Sequence, residues 1–142
     1  MIDDNTIQAA IVAKLKANSA LVTWLTQFSA QAEIREAQWQ GREFVYPAVR
    51  VEITSNIPQG ETPCFSQITT TIYYYSESDS SKQVNELAGY GNDALFEKAV
   101  NDSGWYSGLF VLDQRITGRR QSERVWQAVE LYRTNIFGGF RT

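Results

Sequence analysis

Three arginines within six residues, Arg119, Arg120 and Arg124, form the most concentrated basic feature of the sequence. Guanidinium groups pair with carboxylates or phosphates through two parallel hydrogen bonds. The same residues can also keep an ordinary hairpin turn solvated by charge alone. Because three arginines are more than a turn needs, the pattern indicates a surface that contacts a partner.

The tyrosine run Tyr73, Tyr74 and Tyr75 is a second candidate. Aromatic rings on a strand can stack on the bases of single-stranded nucleic acid. Tyrosine and threonine also favour strands through packing alone, and no lysine or arginine lies between Phe65 and Ser76 to hold phosphates. The run therefore favours a packed strand, and a small nucleic-acid-binding adaptor that uses Tyr73–Tyr75 stays as an alternative function.

The sequence lacks the usual parts of a catalytic site. It has no histidine and a single cysteine, Cys64, which excludes Ser-His-Asp and Cys-His triads, histidine-ligated metals and a cysteine zinc site. Glycines occur without the pattern of a phosphate-binding loop. We therefore predict that the protein is not an enzyme and takes no cofactor or metal. A small enzyme using lysine or carboxylate groups remains the catalytic alternative, and it needs a pocket with shifted pKa values.

Length and composition indicate one folded domain over residues 1–142. Hydrophobic residues make up 43% of the chain and charged residues 20%, which is ordinary for a globular protein. The net charge of −3 argues against phosphate binding as the main role. No apolar run reaches the length of a membrane helix, and the acidic start does not resemble a secretory signal. We expect an intracellular protein that does not bind membranes.

Hydrophobic spacing predicts the secondary structure. A one-sided helical pattern begins at Ile7, and the clearest helical pattern runs over 81–101, with Gly89 and Gly91 inside it. Those glycines indicate a close approach of the helix to a sheet or to another subunit. Residues 29–43 are undecided between a short strand and a crossing loop. The predicted helices are 7–15, 20–28 and 81–101, and the predicted strands are 44–54, 65–75, 109–117 and 125–137.

This order, α(α)ββαββ, predicts an α+β fold in which an antiparallel, hairpin-built sheet is packed by helices on one face. Residues 138–142 are expected to form a flexible C-terminal tail. The stretches 55–64 and 118–124 are predicted as loops that project from the two hairpins toward neighbouring molecules. The candidate interaction residues in these loops are Ile57, Pro58, Glu61, Arg119, Arg120 and Arg124.

The whole-chain pattern resembles the tail terminator (tail completion) proteins of long-tailed bacteriophages. The resemblance rests on the order of elements and on three short phrases: the opening Ile7–Leu15, the tyrosine-proline strand Phe44–Val51 and the closing Glu130–Thr134. It implies a small α+β protein without catalytic residues that forms a ring, commonly a hexamer, at the head-proximal end of the tail tube.

The same resemblance implies the partners and the location of the protein. The ring is expected to contact further copies of itself, the tail tube protein and the head-closure or connector protein, while DNA passes nearby without specific binding. The implied location is the tail or neck of a virion assembled in the host cytoplasm. A head-closure or neck adaptor in the neighbouring layer is the alternative within this class.

Overall fold

The structure, a computed structural model, describes residues 2–38, 45–59, 65–102 and 104–138. Three helices and seven strands follow in the order ααβββαββββ. The helices are α1 (Asp4–Lys16), α2 (Ser19–Thr26) and α3 (Lys82–Leu95). The strands are β1 (Ile34–Glu36), β2 (Ala48–Pro58), β3 (Phe65–Glu77), β4 (Asn101–Asp102), β5 (Trp105–Ser107), β6 (Val111–Ser122) and β7 (Val125–Gly138).

The strands form one mixed, mostly antiparallel sheet in the order β1-β2-β3-β7-β5-β4, and β6 pairs with the remaining length of β7. Its centre is the β3–β7 pair, which runs from Phe65 opposite Phe137 to Glu77 opposite Val125. The predicted α+β class and the antiparallel hairpins are confirmed. The undecided stretch after α2 contains β1, which pairs with β2 in parallel, and β4 and β5 are short additions before β6.

Alternation along the central strands separates the two faces of the sheet. Ile68, Ile72 and Tyr74 on β3 are buried under the helices together with Tyr132 and Ile136 on β7. The intervening side chains are mostly part-exposed on the opposite face, because strand residues alternate between faces. We refer to these as the helix-covered face and the open face.

Side-chain caps fix where the first two helices begin. The Asp3 carboxylate accepts the Thr6 backbone N–H at 2.9 Å, and this bond lowers the pKa of Asp3. The Asn18 side chain accepts the Leu21 backbone N–H at 2.9 Å, so Asn18 is the cap of α2. Both are the polar residues that satisfy the free N–H groups of a first turn.

The prediction for the third helix was too long at its C-terminal end. It ends at Leu95, the backbone turns extended at Phe96, and Glu97 has a φ of 58°. Phe96 then forms a parallel bridge with Phe110, and the Val100 N–H donates to Ser107 Oγ at 2.8 Å. Past Leu95 the apolar residues no longer share one buried side, because Phe96 and Ala99 are exposed and only Val100 returns to the core.

The described parts of the two predicted loops, 55–59 and 118–124, are largely strand. Ile57 and Pro58 lie in the last part of β2, and Arg119 and Arg120 lie within β6, where they pair with β7. The turn-forming and polar residues of these stretches suggested loops. A hairpin strand, however, needs only a hydrogen-bonding partner for its backbone, and its side chains can stay in solvent. Glu61 lies outside the described residues.

The end of β7 also differs from the expectation. Gly138, predicted as the start of a flexible tail, is the last residue of the strand and pairs with Trp105 on β5. Its φ of 118° is one that residues with a side chain rarely adopt. The rest of the predicted tail, 139–142, lies outside the described residues.

Candidate interaction surfaces

The three candidate arginines come together at the end of the β6–β7 hairpin, and we refer to Arg119, Arg120 and Arg124 as the arginine tip. Arg119 pairs with Gln127 and Arg120 with Trp126 in the register of the hairpin. Arg124 occupies the turn with a φ of 64°. All three side chains are exposed. The arrangement presents up to three guanidinium groups to carboxylates or phosphates on another molecule.

The turn that carries the arginine tip is anchored to the segment between β3 and α3. The Ser78 N–H donates to the Arg124 carbonyl at 2.7 Å, and the Trp126 indole N–H donates to the Ser78 carbonyl at 3.1 Å. The Arg124 guanidinium also pairs with Asp79 at 3.0 Å, with both side chains mostly in water. An exposed ion pair of this kind contributes about 0–1 kcal/mol. The two hydrogen bonds with Ser78 therefore fix the turn, and the arginine side chains can bind another molecule.

Ile57 and Pro58, two further predicted contact residues, lie at the opposite end of the sheet. Ile57 is 54% exposed and sits opposite Gln67 on the open face, and Pro58 is the exposed last residue of β2. On the same face, the Phe137 ring stacks on Phe65 and on Tyr106, with centroid distances of 4.8 and 5.2 Å.

This aromatic row was not predicted, although one signal was available. Phe65 begins β3 and Phe137 is close to the end of β7, at positions that a hairpin-built sheet brings opposite each other. Tyr106 extends the row onto β5 and is 58% exposed. The row places three aromatic rings at one end of the open face, near the exposed Ile57, and clustered surface rings of this kind suit contact with a protein.

The tyrosine run divides between the two faces. Tyr74 is fully buried beneath α3, so it is not available to stack on a base. Tyr73 and Tyr75 lie on the open face with their rings 6.5 Å apart, and both are half-buried. Arg50, which pairs with Tyr73 in the sheet register, directs its guanidinium to Glu33 at 3.1 Å. The structure therefore removes one of the three rings on which the nucleic-acid alternative depended.

A buried polar cluster beneath α3 was missed entirely by the sequence analysis. The Glu130 carboxylate is fully buried, and its Oε1 accepts the Tyr74 hydroxyl at 2.7 Å. The Tyr132 hydroxyl lies 3.0 Å from the same oxygen and 2.7 Å from Asn92 Oδ1. Arg115 Nε donates to Glu130 Oε2 at 2.7 Å. A buried charge is tolerated only with such partners, so this cluster ties β3, α3, β6 and β7 together.

The two tyrosines of the cluster have shifted pKa values. Burial, and then the neighbouring Glu130 charge, raise the pKa of Tyr74 well above its usual value of 10.0, and the same two causes raise the pKa of Tyr132. Both effects disfavour the phenolate. The tyrosines act as neutral hydrogen-bond donors that stabilise a buried carboxylate.

We expect stability to fall with rising pH above the unfolded tyrosine pKa of about 10, because only the unfolded chain then releases these protons. Tyr132→Phe removes one of these tyrosine hydroxyls. The free energy of unfolding of the variant should therefore decrease less steeply with pH, by up to about 1.4 kcal/mol per pH unit. Urea unfolding at a series of pH values measures both slopes. Below a pH of about 9 the two chains should differ by a constant amount. Equal slopes above a pH of about 10 would contradict the assignment.

The described residues contain no group of three side chains suited to a metal ion. Across that same part of the chain, no helix is both long and apolar enough to span a membrane. A groove of about 430 Å³ lies between α1 and residues 99–102, which end in β4, and Ala9, Ala10 and Ala13 supply much of its wall beside Lys14 and Asp102. Alanine methyl groups offer contact area rather than reactive groups.

Comparison with known proteins gives a fold and no family. No family model matches the chain, and no curated protein matches it. Among solved structures, a chain in the virion of a native gene transfer agent particle is similar, with a TM-score of 0.73 and 14% identity over 93% of this chain and 95% of that one. A second solved protein, whose name states no function, matches with a TM-score of 0.57 and 10% identity over 100% of this chain and 99% of its own. At these identities the likeness shows a common fold.

Proposed function

We propose that this chain is a non-enzymatic structural protein of a phage-like virion. In this proposal it forms a ring, commonly a hexamer, at the head-proximal end of the tail tube, ends tube polymerisation and joins the tail to the head connector. The partners are further copies of the chain, the tube protein and the head-closure protein, and DNA passes nearby without specific binding. A head-closure or neck adaptor in the adjoining layer is the alternative.

The observation that carries the proposal is the near end-to-end similarity to a virion chain. The match covers 93% of this chain and 95% of the other. A one-domain protein of this size acts in a particle mainly through its contacts. Fold alone does not assign function, and the tail-terminator role therefore rests also on the resemblance in the order of elements and short phrases.

The surface chemistry is consistent with an assembly protein. The arginine tip lies at one end of the sheet, and the stacked row of Phe65, Phe137 and Tyr106 lies at the other. Ring proteins of a tail need separate surfaces for the neighbouring subunit, the tube and the connector. Two chemically different surfaces at opposite ends of one sheet supply part of that requirement.

The test is to polymerise the tube protein of the same particle with and without this chain and to measure tube length by electron microscopy. We expect capped tubes of limited length with the chain present, and the Arg119→Glu, Arg120→Glu double variant should fail to cap because it reverses the charge of an exposed contact. Circular dichroism should show an unchanged fold, since both side chains are exposed strand positions.

Lys14→Glu with Lys16→Glu is the matched control, because it changes net charge by the same amount on α1 and should still cap. Unlimited tubes in the presence of the wild-type chain would reject the terminator role. If the chain binds the connector but not the tube, the neck-adaptor alternative takes its place. Normal capping by the folded arginine variant would show that the arginine tip is only a solvated hairpin.

A further inference from the structure

The exposed side of α3 carries a narrow stripe of acidic and aromatic residues. Glu86, Tyr90 and Asp93 are four and three residues apart, which places them on one helix face, and all three are exposed. Glu97 follows just beyond the end of the helix and is also exposed. We refer to Glu86, Tyr90 and Asp93 as the α3 stripe. The opposite face of the helix is buried on the sheet.

An aromatic contact with α2 widens the stripe into a surface. The Trp24 ring lies 6.0 Å from the Tyr90 ring and 4.9 Å from the Phe28 ring, measured between centroids. Phe28 is 46% exposed and Tyr90 is 37% exposed. Carboxylates thus border exposed aromatic rings. Arginine recognises this combination, because its guanidinium group pairs with carboxylates and stacks on aromatic faces.

Ion pairs among the described residues neutralise neither this surface nor most of the arginine tip. Among the described residues, Glu86 and Asp93 take part in none of the five ion pairs, and neither do Arg119 and Arg120. Arg120 makes one long bond, from Nε to the Ser122 carbonyl at 3.4 Å. Within the part of the chain that the structure describes, one surface therefore exposes two carboxylates without an ion pair, and another exposes two guanidinium groups without one.

We propose that the arginine tip of one copy binds the α3 stripe of a neighbouring copy. This inference rests on the proposed ring and identifies which surfaces meet in it. Charge complementarity favours a second copy, because both halves of the contact belong to the same chain and are present in equal number. Each copy gives one tip and receives one, which is a heterologous contact of the kind that closes a ring.

Reversal of one surface at a time tests the contact. The tip variant is Arg119→Glu with Arg120→Glu, and the stripe variant is Glu86→Arg with Asp93→Arg. Either variant alone places like charges at every contact, and we expect association to weaken by at least about tenfold. Native mass spectrometry and sedimentation measure the assembly state, and circular dichroism confirms that each variant is folded.

Mixing the two variants in equal amounts is the decisive measurement. The acidic tip of the tip variant then meets the basic stripe of the stripe variant. The basic tip of the stripe variant meets the acidic stripe of the tip variant. Every contact between unlike copies is therefore attractive. We expect assembly to return, with the two variants alternating and therefore in equal number. Wild-type assembly should weaken at about 1 M salt, where the Debye length is about 3 Å.

Lys14→Glu with Lys16→Glu serves again as the charge-matched control and should assemble as the wild type does. If the wild-type chain forms a ring and the tip variant and the stripe variant form it equally well, the proposed contact is wrong, but the proposed ring is not contradicted. Failure of the folded variants to recover on mixing would also overturn the contact. If the wild-type chain forms no ring alone or beside the tube, the proposed function fails instead.

Discussion

Replacement of Arg115 with alanine is expected to lower the free energy of unfolding by about 2–4 kcal/mol. Arg115 donates to the fully buried Glu130 carboxylate, which would otherwise keep a buried charge with only hydroxyl donors. This loss is toward the lower end of what breaking a buried ion pair costs. The Arg115 side chain is itself 40% exposed, so water can partly replace its guanidinium group beside Glu130. Urea unfolding followed by tryptophan fluorescence measures the change.

Arg133→Ala is the matched control, because it removes an arginine from an exposed pair with Asp113 on the same two strands, at 3.7 Å. That change should cost about 0–1 kcal/mol. A further variant combines Arg115→Ala with Glu130→Met, and removal of the buried charge should recover part of the loss. Equal effects of Arg115→Ala and Arg133→Ala would show that the buried carboxylate does not depend on its arginine.

Replacement of Gly91 with alanine is expected to destabilise the fold by about 2–3 kcal/mol. A Cβ at this position would lie 2.1 Å from the Tyr74 hydroxyl oxygen. Tyr74 is fully buried and would have to move away from Glu130, or α3 would have to lift from the sheet. The improved helix propensity of alanine, about 1 kcal/mol, offsets only part of this cost.

Gly89 provides the control two residues earlier in the same helix. A Cβ there meets nothing within 4 Å, so Gly89→Ala should stabilise the chain by about 0.5–1 kcal/mol. Opposite signs for the same substitution at two glycines of one helix are the expected result in urea unfolding. A stabilising Gly91→Ala would mean that Tyr74 can repack without loss.

The sequence predicted the start of α3 and most of its buried side, although it extended the helix past Leu95, and it marked Gly89 and Gly91 together as points of close approach. It could not separate Gly91 from Gly89, because spacing along a helix does not show which glycine faces a large side chain. The difference depends on Tyr74 from β3, a residue that reaches the helix only once the sheet is formed. Local periodicity therefore predicted the element, and tertiary contact decided the role of its residues.

The buried Glu130 shows a second limit. The residues of β7 that point the same way as Glu130 are buried, namely Ala128, Tyr132 and Ile136. Alternation along the strand therefore already predicts a carboxylate on the helix-covered face. The partner Arg115 is on β6, and the register of that hairpin contains three shifts. Because alternation fails at each shift, the pairing of Arg115 with Glu130 could not be counted from the sequence.

The candidate surfaces were predicted unevenly for a related reason. Clustered like charges are visible in a sequence, and the arginine tip was found although its residues were assigned to a loop. Glu86 and Asp93 resemble the ordinary solvated side of an amphipathic helix. Only the exposed rings of Tyr90 and Phe28 indicate that this part of the surface could bind a partner. Those rings come together only when α2 packs against α3.

The central β3–β7 pair bears on how the chain is made. Its partners, Phe65 with Phe137 and Glu77 with Val125, lie far apart in sequence, and such pairings form slowly because a long segment must be closed first. During translation, β3 emerges with one edge unmatched until residues through Gly138 have left the ribosome. Of the described strand pairs, the β6–β7 hairpin that bears the arginines is the last to emerge, so a nascent chain should acquire its capacity to associate only after β7 has left the ribosome.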